Sequence, residues 1–288
     1  MSTPRFLTLP RCARAVRLET ARGGFAALEA LPAGPVRATA LLVPGFTGSK
    51  EDFIALLEPL STAGYRVVAV DQRGQHETGG PADEAAYALP ELGRDVLALT
   101  EAVGGPVHLL GHSFGGYVVR QAVLAAGEPL PWRSLTLLST GPAALEPAEA
   151  ARTKLLLDAL AVMDLEAIWQ VMKELEEGAG DQAVPPSTEV ADFLHRRWLA
   201  NVPQSLAAMG RQLIREPDRV AELAAVPLPK LVLSGVRDYA WPVAWQSAMA
   251  ERLGARRVVV PDAGHSPNAE RPAETAGALL DFWSTTGA

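Results

Sequence analysis

An α/β fold is predicted for this chain: a mostly parallel sheet of eight strands flanked by helices, with one inserted helical segment. Three observations predict it. Short apolar runs alternate with helical patterns from Ala38 onward, the pattern of strand-helix-strand crossovers with helices on both faces of the sheet. One run, Val107-His108-Leu109-Leu110, passes through Gly111-His112-Ser113-Phe114-Gly115 into a helical pattern, a strand-turn-helix corner with Gly-x-Ser-x-Gly at its tip. Between Gly141 and about Glu222 the alternation stops and helical periodicity alone remains, so that stretch is an insertion.

Taken in order, Val16 to Glu19 and Phe25 to Glu29, separated by Thr20-Ala21-Arg22-Gly23-Gly24, read as an antiparallel hairpin at one sheet edge. Further strands are expected at Ala38 to Val43, Arg66 to Val70, Val107 to Leu110, Leu135 to Leu138, Leu231 to Ser234 and Arg257 to Val260. Helices are expected at Asp52 to Ala63, Leu89 to Val103, Gly115 to Ala126, Val243 to Leu253 and Pro272 to Trp283. The last opens on a proline in its first turn, where the missing donor costs little. Within the insertion, Arg152 to Glu177, Thr188 to Ala200, Pro203 to Arg215 and Asp218 to Ala224 are the expected helices. Gly178-Ala179-Gly180-Asp181 and Pro185-Pro186 break them and read as hinges. The organisation is therefore a core of residues 1–140 and 223–288 with a helical insertion of residues 141–222.

The corner carries the chemistry. Only small residues fit at Gly111 and Gly115, and the turn leaves the Ser113 hydroxyl projecting. A serine hydroxyl is a weak nucleophile and needs a histidine base, which in turn needs an acid to orient it. Asp238 lies three residues beyond Gly235 at the end of an apolar run, and His265 lies on the loop after Val258-Val259-Val260-Pro261. We assign Ser113 as nucleophile, His265 as general base and acid, and Asp238 as the group that fixes the imidazole tautomer. Asp262 is three residues from His265 on the same loop and reads as a loop cap. Attack on a carbonyl also needs preorganised donors for the oxyanion. The candidates are the backbone amides of Phe114 and of Phe46, the latter beside Gly45 in Val43-Pro44-Gly45-Phe46-Thr47-Gly48. Phe46, Ser113, Asp238 and His265 all fall at carboxyl ends of expected strands, where ligands bind in such sheets.

These motifs resemble the α/β-hydrolase superfamily, of the cap-bearing serine esterase and lipase type, over nearly all of the chain outside its middle third. The resemblance rests on the elbow, the Gly45-Phe46 loop, Val67-Val68-Ala69-Val70-Asp71-Gln72-Arg73-Gly74, the Gly235 to Asp238 loop with Trp241-Pro242 behind it, and Gly264-His265. It implies an α/β-hydrolase fold and chemistry at a serine, rather than at the aspartate of relatives that open epoxides. The chain departs from the family at two points. Pro44-Gly45 stands where many relatives carry His-Gly, and Arg73-Gly74-Gln75-His76 where they often read Arg-Gly-His-Gly. Neither departure touches the triad; both lie near the expected pocket.

The resemblance also implies that the insertion of residues 141–222 is a helical cap that shapes the pocket, with Met163, Trp169, Met172, Phe193, Trp198 and Met209 as its lining candidates. From the core, His76, Tyr239 and Trp241 are added, and Trp169 and Trp198 are preferred among the cap residues. Asp71 is expected to order its loop through Arg73, His112 to pack behind the serine, and His108 to be a satisfied core histidine.

Composition narrows the partners. A net charge of -7 without a basic stripe excludes a nucleic-acid surface. No Cys/His cluster has metal-ligand spacing and no glycine-rich dinucleotide or phosphate loop is present, so no cofactor and no metal are expected. With no apolar run of membrane length, no leader pattern and one cysteine, Cys12, cytoplasmic residence as a monomer or homodimer is expected. The expected activity is hydrolysis of a carboxylic ester or thioester of a small apolar acyl compound through an acyl-enzyme. The alternatives are an acyltransferase, cyclase or lyase using the same triad on a specialised metabolite, or a non-catalytic small-molecule binder.

Overall fold

In the computed structural model, which describes residues 2–105, 107–178 and 186–286, every expected strand is present. They are β1 (Ala13–Thr20), β2 (Gly23–Ala30), β3 (Ala38–Val43), β4 (Tyr65–Val70), β5 (Val107–His112), β6 (Trp132–Leu138), β7 (Lys230–Gly235) and β8 (Arg256–Val260). One sheet runs β1-β2-β4-β3-β5-β6-β7-β8; the β1–β2 and β2–β4 pairs are antiparallel and the rest parallel. β3, β5 and β7 are buried along their whole length, as parallel strands covered on both faces must be. β1, at the edge, alternates between half-buried and exposed. It carries Arg14, whose guanidinium pairs with Glu29 on β2 at 2.7 Å, and charge of this kind discourages pairing with another chain.

Five core helices, α1 (Ile54–Thr62), α2 (Leu89–Val103), α3 (Phe114–Ala125), α9 (Val243–Leu253) and α11 (Pro272–Trp283), cover the sheet, with a single turn, α10 (Pro267–Glu270), before the last. Successive side chains of a strand point to opposite faces, and β7 shows the sorting. Val232 joins the apolar layer under α2, α3 and α9, while Leu231 and Leu233 join the layer under α1 and α11. Between β6 and β7 the chain is helical: α4 (Pro147–Leu160), α5 (Leu165–Gly178), α6 (Thr188–Leu199), α7 (Pro203–Leu213) and α8 (Val220–Ala224).

Local chemistry moved three boundaries. The single helix expected over Arg152 to Glu177 is two, because Asp164 Oδ1 accepts the Ala167 amide at 2.8 Å and starts α5 afresh. Asp218 Oδ1 accepts the Val220 amide at 2.9 Å and sets the start of α8. Ahead of α1, Lys50–Phe53 form a 3-10 turn whose entry is held by the Ser49 amide on Asp52 Oδ2 at 3.4 Å. Of the expected hinges, residues 179–185 lie outside the described residues.

The insertion has its own apolar cluster, Leu165, Ile168, Trp169, Val190, Phe193, Leu194, Trp198 and Leu206. It is fastened to the core by a buried ion pair, Arg197 Nη1 to Asp52 Oδ1 at 2.6 Å, with both side chains wholly enclosed. Nη2 of the same guanidinium donates to the Ser2 carbonyl at 2.7 Å. Among the described residues no helix is long and apolar enough to cross a membrane.

His108 on β5 is a core residue. Its Nδ1 lies 2.8 Å from Ser134 Oγ on β6 and its ring stacks on Trp283, with 4.9 Å between centroids. Burial pushes this imidazole down to about 4. A pKa depressed by folding means that the stabilisation is complete above the ordinary value of about 6.5 and is lost as pH falls through 4. At pH 5 this single group is expected to cost about 2 kcal/mol relative to pH 8. Urea unfolding at the two pH values measures it. His108→Gln should lose less stability between them than the parent by about that amount, and an unchanged difference would contradict the assignment.

Candidate active site

The corner after β5 is held by what its neighbours lack. Ser113 has φ 55° and ψ −122°, a strained conformation for a residue with a side chain. A Cβ at Gly111 would meet the carbonyl of Gly115, and a Cβ at Gly115 would meet the carbonyls of Val43 and Pro44 at the end of β3. The corner is thus packed backbone on backbone. It is tied across the sheet by the Ser113 amide, which donates to the Leu138 carbonyl at 2.9 Å.

At the same edge, the loops after β7 and β8 deliver Asp238 and His265. His265 Nε2 lies 3.0 Å from Ser113 Oγ, and its Nδ1 lies 2.9 Å from Asp238 Oδ1. That Asp238 oxygen also accepts the amides of Ala240 at 2.9 Å and Trp241 at 3.2 Å, while Oδ2 accepts Gln246 Nε2 at 2.8 Å. Burial alone would raise the Asp238 carboxyl. The donors from His265 and the two amides outweigh it, and the pKa falls below the usual carboxylate value. A carboxylate on Nδ1 keeps the ring proton there, so Nε2 faces the serine as an acceptor. Asp262, at φ 55°, points away and pairs with Arg271 at 2.7 Å, largely in solvent.

His112 packs behind the serine as expected. Its Nε2 is 2.9 Å from the His265 carbonyl, and burial pushes the ring to about 3, so it stays neutral and donates to that carbonyl. Gly45 presses on the nucleophile from the other side: a Cβ there would stand 3.0 Å from Ser113 Cβ and 3.4 Å from Oγ.

Ser113 and His265 open into a cavity of about 760 Å³. Its floor includes Gly45, Phe46, Thr47, His112 and Tyr239, and its roof includes Leu155, Leu156, Ala159, Met163, Ile168, Val171, Met172 and Leu175 from α4 to α5. Trp198 also lines it. Of the expected pocket residues, Trp198, Tyr239, Met163 and Met172 are therefore in place, whereas His76, Trp169, Trp241, Phe193 and Met209 are not. Trp241 is buried behind the site, its indole N–H on the Ala143 carbonyl at 2.9 Å and its ring against Tyr117. Trp169 stacks on His195 within the insertion, with 5.1 Å between centroids. His76 sets its ring edgewise to Phe193 at 5.5 Å. Met209 belongs to the main core.

Asp71 also departs from expectation. It orders its loop through the Lys50 amide at 2.7 Å, Lys50 Nζ at 3.0 Å and the Glu77 amide at 3.2 Å, while Arg73 pairs with Asp95 at 2.7 Å. Two side chains that sequence reasoning passed over, Gln72 and Gln75, reach the carbonyls of the loop at Gly45. Their one visible signal was that Gln75 stands where relatives often carry histidine.

Eight strands in this order with a helical insertion after the sixth define the α/β-hydrolase fold, and in this chain a serine, a histidine and an aspartate meet at its strand ends. The Alpha/beta hydrolase family model matches residues 40–278, and the chain belongs to that family. RutD of Variovorax paradoxus, named as a candidate carbamate hydrolase, is 29% identical over 272 residues, which are 88% of this chain and 95% of that protein. The pimeloyl-acyl-carrier-protein methyl ester esterase of Aeromonas hydrophila is 30% identical over 223 residues, 74% of this chain and 83% of that one. The crystal structure of a hydrolase from Pseudomonas aeruginosa superimposes with a TM-score of 0.74 at 28% identity, covering 94% of this chain and 99% of that chain.

Because Gly115 has backbone on the side where a Cβ would go, Gly115→Ala is expected to cost about 3 kcal/mol or more. That corresponds to a fall in Tm of roughly 6–12 °C for a chain of this size, measured by calorimetry. A Tm within 2 °C of the parent would show that the corner can relax.

Proposed function

We propose that the protein is a serine hydrolase that cleaves a carboxylic ester or thioester of a small apolar acyl compound through an acyl-enzyme. The observation that carries this reading is the continuous hydrogen-bond chain from Asp238 through His265 to Ser113 Oγ, opening on a cavity with a largely apolar roof.

Ser113 Oγ attacks the carbonyl carbon as His265 Nε2 takes its proton. The carbonyl π electrons move to oxygen, and the backbone amides of Phe46 and Phe114 receive the oxyanion. Collapse restores the carbonyl and breaks the bond to the alkoxide or thiolate, which leaves with the proton from His265 Nε2. Water then repeats the sequence on the acyl-serine, losing its proton to His265 and releasing the acid and the free hydroxyl. Asp238 stays ionised throughout and stabilises the imidazolium. The helices from 141 to 222 act as the cap, holding the acyl group against Ser113 and excluding bulk water from the intermediate. Esters and carbamates, the bonds named for the two relatives above, offer the same carbonyl carbon to this sequence of steps.

A fluorophosphonate probe tests the nucleophile: labelling of the parent that disappears in Ser113→Ala supports the reading, and no labelling of folded protein would sink it. His265→Ala is expected to lower kcat by several orders of magnitude with the thermal transition intact, and Asp238→Asn by about 10³ to 10⁴ through loss of the correct tautomer. Turnover within tenfold in either variant would contradict the roles assigned. A chain-length series of chromogenic esters, thioesters and carbamates ranks the substrate class.

A further inference from the structure

We infer that Gln75 is a positioning residue for the oxyanion-binding amide of Phe46, an inference that rests on the acyl-transfer reading above. Gln75 is fully buried. Its Nε2 donates to the Gly45 carbonyl at 2.7 Å and to the Phe46 carbonyl at 3.0 Å, while its Oε1 accepts the Gln72 amide at 3.1 Å. That pattern settles the orientation of the side-chain amide. Reversing it would set oxygen against two carbonyl oxygens and NH₂ against an N–H.

The Gly45 carbonyl and the Phe46 N–H belong to one planar trans peptide unit and point in opposite directions. Holding the carbonyl on the Gln75 side therefore aims the Phe46 N–H to the opposite side. Donation to the carbonyl also polarises the unit and strengthens its N–H as a donor.

The clamp is needed because of Gly45 itself. Close approach to Ser113 favours glycine there, yet glycine leaves the adjoining torsions freer than a residue with a side chain would. The Gly48 amide also donates to the Gly45 carbonyl, at a longer 3.2 Å and from within the same loop, so it turns with the loop and leaves Gln75 as the donor that ties the unit to the rest of the core. An external donor on the carbonyl removes that freedom before substrate arrives, which is what preorganisation requires.

Gln75 is in turn held on a stiff support. Its own amide donates to the Gln72 carbonyl at 3.0 Å, and its carbonyl accepts the Thr78 amide at 3.0 Å. The next residue, His76, sits at φ 37°. Asp71 joins the Lys50 amide to the Glu77 amide, and Gln72 Nε2 donates to the Pro44 carbonyl at 2.8 Å. The turn at 71–78 thus grips the loop at 44–50 at both ends and in the middle.

The test uses the full-length protein and an ester it turns over. Gln75→Leu is expected to lower kcat by about 10- to 100-fold with KM within about threefold, less than the full loss of an oxyanion donor. Binding of a trifluoromethyl ketone, whose serine adduct carries the oxyanion, should weaken by a similar factor. Gln75→His, which keeps one ring N–H donor, should recover most of both. Rates are referred to intact sites counted by complete fluorophosphonate titration, so a merely structural loss of folded protein moves neither number. If Gln75→Leu does not fold, Gln75→Glu, which keeps the size and replaces the two donors with acceptors, carries the same expectations. The inference is overturned if kcat per site stays within twofold, or if ketone affinity holds while kcat falls. Absence of both turnover and labelling in the parent would overturn the acyl-transfer reading and this inference with it.

Discussion

The structure turns on one steric constraint, the absence of side chains where β5 bends into α3. Ser113 can hold a positive φ because the backbone at Gly115 lies directly on the carbonyls of Val43 and Pro44, and Gly111 lies under the Gly115 carbonyl. The start of α3, the end of β3 and the candidate nucleophile are one packed unit as a result. The loop that follows β3 has no choice but to pass beside the serine. The strained torsion is the consequence of that contact, and it places Oγ where the loops after β7 and β8 meet it.

Around this corner lie two groups of buried charge that would be hard to justify as stabilisation. Lys50 Nζ is enclosed and contacts Asp71 at 3.0 Å, Glu51 at 2.9 Å and Glu77 at 2.8 Å. Asp52 faces Arg197, yet its burial outweighs that attraction and pushes its carboxyl up to about 6. Removing such groups from water costs several kcal/mol per ion, and well-packed apolar pairs of the same volume are often as stable. Direction is what an apolar pair would not supply. Arg197 orients toward Asp52, Ser49 and the Ser2 carbonyl at once. Asp71 spans Lys50 and Glu77 in the same way. One group sets the insertion on the core; the other sets the loop beside Ser113 on the turn at 71–78.

The parts that sequence made legible are those whose signal is local. Ser113, Asp238 and His265 each follow an apolar strand, so their residue type and place in the chain already put them at one edge. Helices α2, α9 and α11 begin and end where their periodicity does. The break at Asp164 was hidden because the residues on either side continue a helical period, and a capping aspartate inside such a run reads as an exposed face. The partner of Asp71 was missed because Lys50 lies 21 residues away and only the parallel sheet brings it close, whereas Arg73 is next but one. Pocket membership was least legible. Trp169 and Trp198 are both tryptophans at helical spacing in the insertion; Trp198 donates its indole N–H to the Leu165 carbonyl at 2.7 Å and reaches the cavity, while Trp169 turns to His195. Residue type reports burial, and both are buried; it does not report which side of a helix bounds a cavity.

The two halves of the candidate site therefore obey different rules. On the core side, each polar contact is fixed by backbone at a strand end, and replacing one residue disturbs several others. On the roof the contacts are dispersive and individually weak. Leu155 and Leu175 are each about 70% and 69% exposed while still bounding the cavity. The wall is mostly apolar, and Glu149, Arg152 and Thr153 of α4 are the polar side chains it also presents to the cavity, so its apolar part registers length and girth while these three can register functional groups. The same dispersed contacts let the roof change by single substitutions without disturbing the corner beneath it. A change in such a roof leaves the hydrogen-bonded chain from Asp238 to Ser113 untouched, because the two share no polar contact among the described residues, and that is the physical reason the corner of this chain constrains its own chemistry more tightly than the roof constrains what it admits.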